Sequence, residues 1–255
     1  MEPQLLHRVT DGVATVVIHH PAKRNAMTAR MWRDLPPLLA GLAPDPAVRA
    51  LVLTGEGAHF SAGADISTLG EPGEDARSLA VAAEDALAAF PKPTLAAVRG
   101  SCVGGGCQLA AACDLRFAEE GARFGVTPAR LGIVYAASST RRLASLVGPA
   151  TAKYLLFSAE LIDTERALRT GLVDEVLPAG ELDARVAEFA RVLVSRSQLT
   201  QAAAKEFAAG PDGRAAYGEE RDAYWTEQAR GSGDTAEGVA AFLERREPRF
   251  SWTAS

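Results

Sequence analysis

With 255 residues, 47% of them apolar and 23% charged, the chain has the composition of a folded globular protein, and disorder and fibrous structure are excluded. A net charge of -5 and a pI near 5.5 argue against a general nucleic-acid or membrane-surface role, although a local basic patch could still hold a phosphorylated ligand. No apolar run approaches the length of a membrane span, and the first residues, MEPQLLHRVTDG, lack the basic start and apolar stretch of a signal peptide, so a cytoplasmic location is expected.

In chain order, Val13 to Ile18 reads as a β-branched strand after an Asp11-Gly12 turn. The loop HPAKRNAM then sets Lys23 beside Arg24, a pair of cations that suits a phosphate and is equally explained as solvated surface charge. Thr28 can cap a helix that Pro36 and Pro37 should kink or break, and Ala50 to Thr54 is a second buried strand that ends in the loop Gly55 to Gly57. The next loop, HFSAGADIS, carries Ser61 to Asp65, small residues around a glycine where backbone can approach a ligand closely. From Glu74 to Phe90 the apolar positions Ala76, Leu79, Ala80, Ala83, Leu87 and Phe90 keep helical spacing.

The stretch Pro91 to Asp114, PKPTLAAVRGSCVGGGCQLAAACD, organises the rest. Thr94 to Val98 is a short apolar strand, Arg99-Gly100 turns the chain, and Gly104, Gly105 and Gly106 open a small, helix-compatible run from Cys107 to Cys113. Glycines at a helix entrance leave backbone N–H groups uncovered at its positive end, which is anion-stabilising geometry. No Lys-Ser/Thr follows and the spacing is not that of a dinucleotide fingerprint, so a common phosphate cradle is not expected. A tight strand-to-helix crossover that tolerates no side chain accounts for the same glycines. Cys102, Cys107 and Cys113 fit no zinc spacing and have no histidine nearby, so they are expected to be core fillers and no metal site is expected.

Further on, Asp114 to Ala118 reads as a strand, FGVTPARLGIVY (124–135) as an irregular loop, and Pro149 as the start of a helix running to about Phe157. Asp163 caps another helix that Gly171 ends, and Val173 to Val176 is a last short strand. Beyond Gly180 the chain turns helical: Leu182, Val186, Phe189 and Leu193 repeat at helical spacing, and Asp234 with Glu237 forms a capping-box-like start before the last segment. This tail has too little apolar surface to fold well alone and should pack on the core or on another subunit.

The motifs PxxRNAM at 21–27, FSAGADI at 60–66, KPTLAAVRG at 92–100, GGGCQLAAACDLRFA at 104–118, TRRL at 140–143 and EGVAAFLERREPRF at 237–250 together resemble the crotonase superfamily, the enoyl-CoA hydratase/isomerase family, over essentially the whole chain. The resemblance implies an α/β fold, a crotonase-like ββα spiral core over residues 1–192 and a C-terminal helical trimerisation region over 193–255 that builds trimers or hexamers. It implies an acyl-CoA substrate, with coenzyme A entering only as part of the thioester and no separate cofactor. It places the thioester oxygen between the backbone N–H groups of Ala64 and Gly105, and coenzyme A against Lys23, Arg24, Ala62, Ala64, Asp65 and Ile66. Each such preorganised donor is worth roughly 3 to 4 kcal/mol to an enolate or tetrahedral oxyanion.

Two departures matter. Hydratases of this family carry one glutamate two residues after the glycine triplet and a second in the later loop, where this chain has Gln108 and Pro128. Neither can act as a general acid or base, so ordinary enoyl-CoA hydration is not expected. The loop FGVTPARLGIVY is similar to that of the methylmalonyl-CoA decarboxylases of the superfamily, with Thr127 and Tyr135 at matching positions. That likeness implies an acyl-CoA lyase that decarboxylates a short malonyl-type thioester, in which Thr127 and Tyr135 hold the departing carboxylate and Tyr135 or a water supplies the proton. Packing of the Tyr135 ring explains the residue equally well. Gln108 and Ala64 both differ from that decarboxylase pattern. Hydration or isomerisation at an unusual site, and a CoA-binding subunit without chemistry, are the alternatives.

Overall fold

The computed structural model describes residues 2–66, 76–208 and 218–253. Strands β1 (Gln4–Thr10) and β2 (Val13–His19) form an antiparallel hairpin through the Asp11-Gly12 turn. β1 escapes a pattern-based reading because half of its residues are exposed and its polar Gln4, His7 and Arg8 break any apolar run. β3 (Ala50–Gly55), β4 (Thr94–Val98), β6 (Leu115–Glu119) and β8 (Glu175–Leu177) extend the hairpin into a six-stranded sheet of order β1-β2-β3-β4-β6-β8, parallel from β2 onward. β5 (Ser101–Val103) and β7 (Arg123–Gly125) pair in a second, two-stranded parallel sheet.

Period-two alternation divides the core between the sheet's two faces. Leu51, Leu53, Ala96, Val98 and Ala118 join the larger cluster with helix α1 (Ala29–Leu42) and helix α2 (Ala76–Ala88), while Val52, Leu95, Ala97 and Phe117 face a smaller cluster. Between β5 and β6 lies α3 (Gly105–Ala112), and the chain continues through α4 (Pro128–Leu131), α5 (Ala137–Ser158) and α6 (Thr164–Arg169). Helix α7 (Leu182–Ser195) covers the smaller cluster with Leu182, Val186 and Ala190, and α8 (Gln198–Ala208), α9 (Glu219–Ser232) and α10 (Asp234–Glu244) follow. The division expected between residues 192 and 193 falls inside α7. Among the described residues no helix is long and apolar enough to cross a membrane.

Several local expectations are corrected. The helix capped by Thr28, whose hydroxyl accepts from the Met31 N–H at 3.3 Å, runs on through Pro36 and Pro37. Each interior proline costs about 3 kcal/mol, but Met31, Trp32, Leu35, Leu39 and Leu42 are all buried on this helix and each contributes about 1.5–3 kcal/mol. Glu74 lies outside the described residues, so α2 is described from Ala76; Ala83 and Leu87 on it are fully buried. The segment 124–135 holds the end of β7 and the turn of helix α4, which Pro128 starts and Gly132, in the left-handed region, ends. The helix expected from Pro149 is the second half of α5, which begins twelve residues earlier and is interrupted at Gly148 (φ 74°, ψ 159°). The last strand is Glu175–Leu177, displaced toward the C-terminus from the expected 173–176. Asp234 and Glu237 make no capping box: Asp234 is buried and accepts from the Ser197 hydroxyl at 2.7 Å, and Glu237 pairs with Arg246.

Asp114, between α3 and β6, ties three elements together. Its Oδ2 accepts from Thr94 N at 2.7 Å, from the Thr94 hydroxyl at 2.9 Å and from Lys205 Nζ on α8 at 2.8 Å, and its own N–H donates to the Thr94 hydroxyl.

Candidate active site

The geometry begins with Asn25, fully buried in the left-handed region. Its Nδ2 donates to the carbonyls of Glu56 and His59 at 2.9 and 2.6 Å, and its Oδ1 accepts from His20 N at 3.0 Å. The first loop is thereby laced to the loop after β3. Met27 then bridges Ala64, with Met27 N donating to Gly63 O at 2.7 Å and Asp65 N to Met27 O at 2.8 Å, while Ser61 bridges Cys102 of β5.

In this laced segment the amides of Ser61, Ala62, Gly63 and Asp65 all have acceptors: Ser101 O, Arg24 O, the Ser61 hydroxyl and Met27 O. Among the described residues the Ala64 N–H has none. Gly105 opens α3, where the first amides of a helix have no intrahelical acceptor, and its N–H is likewise unpartnered. A methyl group placed on Gly105 would lie 3.8 Å from the Ala64 nitrogen and 2.9 Å from the Trp32 ring, so the segments meet at a point where a side chain would intrude. Ala64 and Gly105 both line a pocket of about 160 Å³.

The rest of the pocket lining is made of side chains. Thr127, Pro128, Leu131, Ile133 and Tyr135 come from α4 and its flanks, Ala80, Val81 and Glu84 from α2, and Ser139 from α5; Trp32 and the exposed Ile66 complete it. Burial holds the Tyr135 phenol well above its usual range, with Cys107 and Glu84 adding to the effect, so it is a neutral donor at physiological pH. Its hydroxyl stands 3.7 Å from the position a side chain on Gly104 would occupy. Glu84 is only 4% exposed. Burial raises its carboxyl from 4.5 to about 7, against the opposing effects of the Ser139 hydroxyl, which donates to it, and of Arg142, while Asp85 raises it further.

Sequence motifs and geometry converge at this point. A profile of the enoyl-CoA hydratase/isomerase family matches residues 8–253. The chain belongs to that family. It is 36% identical over 249 residues, 94% of this chain and 95% of the relative, to a protein of Syntrophomonas wolfei named crotonyl-CoA hydratase. It is 33% identical over 248 residues, 93% and 94% of the two chains, to the 2,3-dehydroadipyl-CoA hydratase of Escherichia coli K12. A crystal structure of an enoyl-CoA hydratase/isomerase family protein from Hyphomonas neptunium superimposes with a TM-score of 0.90 at 34% identity over 97% of each chain. An enoyl-CoA hydratase structure from Bacillus anthracis gives 0.89 at 28% identity over 96% and 98%.

Of the residues singled out in the sequence of this family member, Ala62, Ala64, Ile66, Gly105, Thr127 and Tyr135 line the pocket. Gln108 does not: it is 1% exposed, and both atoms of its side-chain amide are buried without a protein partner among the described residues. Lys23 and Arg24 are also off the wall, and Lys23 is held by Asp65, Nζ to Oδ2 at 2.8 Å. The three cysteines are buried free thiols, with Cys113 pushed up to about 12 by burial and Cys102 also raised by burial. The sequence reading missed Trp32, Glu84 and Ser139. Glu84 carried a signal that went unused, since it lies four residues after Ala80 and three before Leu87 on the inward stripe of α2, where a charged residue is out of place.

Proposed function

We propose that this family member binds a short acyl-CoA thioester with its carbonyl oxygen between the N–H groups of Ala64 and Gly105, and that it forms and reprotonates the thioester enolate. The carrying observation is that, among the described residues, the Ala64 amide has no acceptor in a segment whose other amides from Ser61 to Asp65 are all bonded, beside the first amide of α3, which also has none. Electron density pushed onto the carbonyl oxygen would meet two preorganised donors, each worth roughly 3 to 4 kcal/mol in a dry site. Ala62 and Ile66 would lie along the thioester arm, with Lys23 and Arg24 toward its phosphates. No cofactor beyond the CoA of the substrate is required.

The favoured reaction is hydration or isomerisation of an enoyl-CoA, in keeping with relatives named as hydratases and with a carboxyl group, Glu84, on the pocket wall. Decarboxylation of a short malonyl-type CoA is the second reading, favoured by Thr127 and Tyr135 lining the same pocket as the amides and by Gln108 and Pro128 standing where a hydratase has carboxylates. It needs no base, because the electrons of the breaking C–C bond go to the carbonyl as CO2 leaves. Hydration and decarboxylation are both lyase chemistry, whereas isomerisation only moves the double bond. A homotrimer or a dimer of trimers is what the family resemblance implies, and the exposed Val239, Phe242 and Leu243 of α10 offer apolar surface for such a contact.

Water addition to crotonyl-CoA and CO2 release from methylmalonyl-CoA, assayed side by side, choose between the two reactions. Binding of acetoacetyl-CoA, whose enolate has its own ultraviolet band, reads the amides independently of either. The expected result is a stronger enolate band on binding; binding without one would remove the proposed oxyanion site.

A further inference from the structure

Glu84 is a carboxyl group that the fold has no evident structural use for. A buried glutamate kept for stability is normally matched by a close cation, yet the short contact of Arg142 goes to the exposed Asp85, Nη2 to Oδ1 at 2.8 Å, while its Nη1 stays 3.5 Å from Glu84. Ser139 and Arg142 both engage Oε2, and Oε1 has no protein partner among the described residues. The residue lines the same pocket as Tyr135, Ser139, Ala64 and Gly105.

We infer that Glu84 is the proton-transfer residue of this pocket, carrying a proton between water and the carbon next to the thioester carbonyl. The inference rests on the acyl-CoA reading above and supplies the group that Gln108 and Pro128 cannot provide. In hydration the Glu84 carboxylate takes a proton from water as the water oxygen bonds to the β-carbon and the C=C electrons shift onto the carbonyl oxygen. The carboxylic acid so formed gives that proton to the α-carbon, the C=O re-forms, and the carboxylate is restored. With a saturated thioester the same group removes an α-proton and returns one from solvent.

Its ionisation is set by few neighbours. Arg142 on α5 favours the charged form and the adjacent Asp85 opposes it. Tyr135 faces it as a neutral phenol, Arg77 lies on the same helix and lines the same pocket, α3 brings Gln108 and Cys107, and α1 exposes Arg30, Arg33 and Asp34 to solvent. The carboxylate form acts first, so turnover should rise as pH passes through about 7.

The test measures exchange of the α-protons of butyryl-CoA in D2O, together with the acetoacetyl-CoA enolate band and thermal unfolding. The wild type should exchange with a rate that rises through about pH 7. Glu84→Gln, nearly the same shape, should lose about 10²-fold or more of that exchange while keeping the fold and the enolate band. Ser139→Ala removes the hydrogen bond that favours the carboxylate, so it should move the rising limb to higher pH, a shift that a merely structural residue would not cause. Retained exchange in Glu84→Gln, an unmoved limb in Ser139→Ala, or no exchange by a wild type that shows the enolate band would overturn the role of Glu84 and leave the amides standing. Loss of the enolate band from the wild type would instead sink the acyl-CoA reading itself.

Discussion

The two walls of the pocket are built by different physics. On one side the functional atoms are main-chain amides, placed by hydrogen bonds from the 61–65 segment to Arg24, Met27 and Ser101 and by the start of a helix. On the other they are side chains of α2, α5 and the 127–135 segment, placed by burial. An amide cannot be changed by most substitutions of its own residue, whereas each side-chain group disappears with one codon. The backbone wall therefore suits the step common to many thioester reactions, and the side-chain wall suits whatever distinguishes one of them.

The sharpest way to break that contrast is to delete an amide. Ala64→Pro removes an N–H that has no acceptor among the described residues, so kcat should fall about 10²- to 10³-fold and the acetoacetyl-CoA enolate band should vanish with little change in melting temperature. Full activity in that variant would show that the backbone wall is not where charge develops.

The next effect belongs to the side-chain wall and needs no substrate. Between about pH 4.5 and about 7 the folded protein keeps a proton on Glu84 that the unfolded chain has lost. Stability should therefore fall as pH rises across that window and level off above it, a loss of up to roughly 3 kcal/mol from the size of the shift. Denaturant titrations of the wild type and Glu84→Gln at several pH values should show the slope in the first and its absence in the second. Equal slopes would mean that the carboxyl titrates normally.

Gly106→Ala probes the backbone wall again. A methyl group there would lie 2.6 Å from the Ser61 carbonyl oxygen and 2.8 Å from its Cβ, and both neighbours belong to the segment that presents Ala64. A loss of about 1–3 kcal/mol is expected, with the enolate band weakened more than the melting temperature alone explains. Smallest of all, Tyr135→Phe should slow turnover about tenfold, or 1.4 kcal/mol, with acyl-CoA affinity kept. Unchanged turnover would leave the ring as packing and take the hydroxyl out of the chemistry.

The two walls also differ in how far they could be read from sequence. The glycine run 104–106 and the SAGAD segment were legible because backbone geometry there demands glycine, whereas the RNAM loop was read only for its two cations and its family motif, and the left-handed Asn25 within it emerged from the fold. The strands β2, β3 and β4 were legible too, β3 and β4 from apolar runs buried on both faces and β2 from β-branched residues whose buried positions alternate with half-buried ones. Glu84 was legible only as a charge on the inward stripe of α2, and its partner Ser139 was not, because the two lie 55 residues apart and only the packing of α2 on α5 brings them together. β1 and the first half of α5 hid for a related reason: their residues are half exposed, and tertiary contact rather than pattern holds them in place.

Asp114 has a consequence for how this site could be altered. By binding Thr94 at the head of β4 and itself following the last turn of α3, it closes the segment 94–114 into a loop pinned at both ends, with Lys205 of α8 as a third fastening. The entrance of α3 is thereby located from behind, by polar contacts that share no atom with the substrate cavity. Replacing Thr127, Ile133 or Tyr135 to admit a different acyl group would leave that anchorage untouched, which makes the chamber's contents exchangeable while its oxygen-holding corner stays fixed.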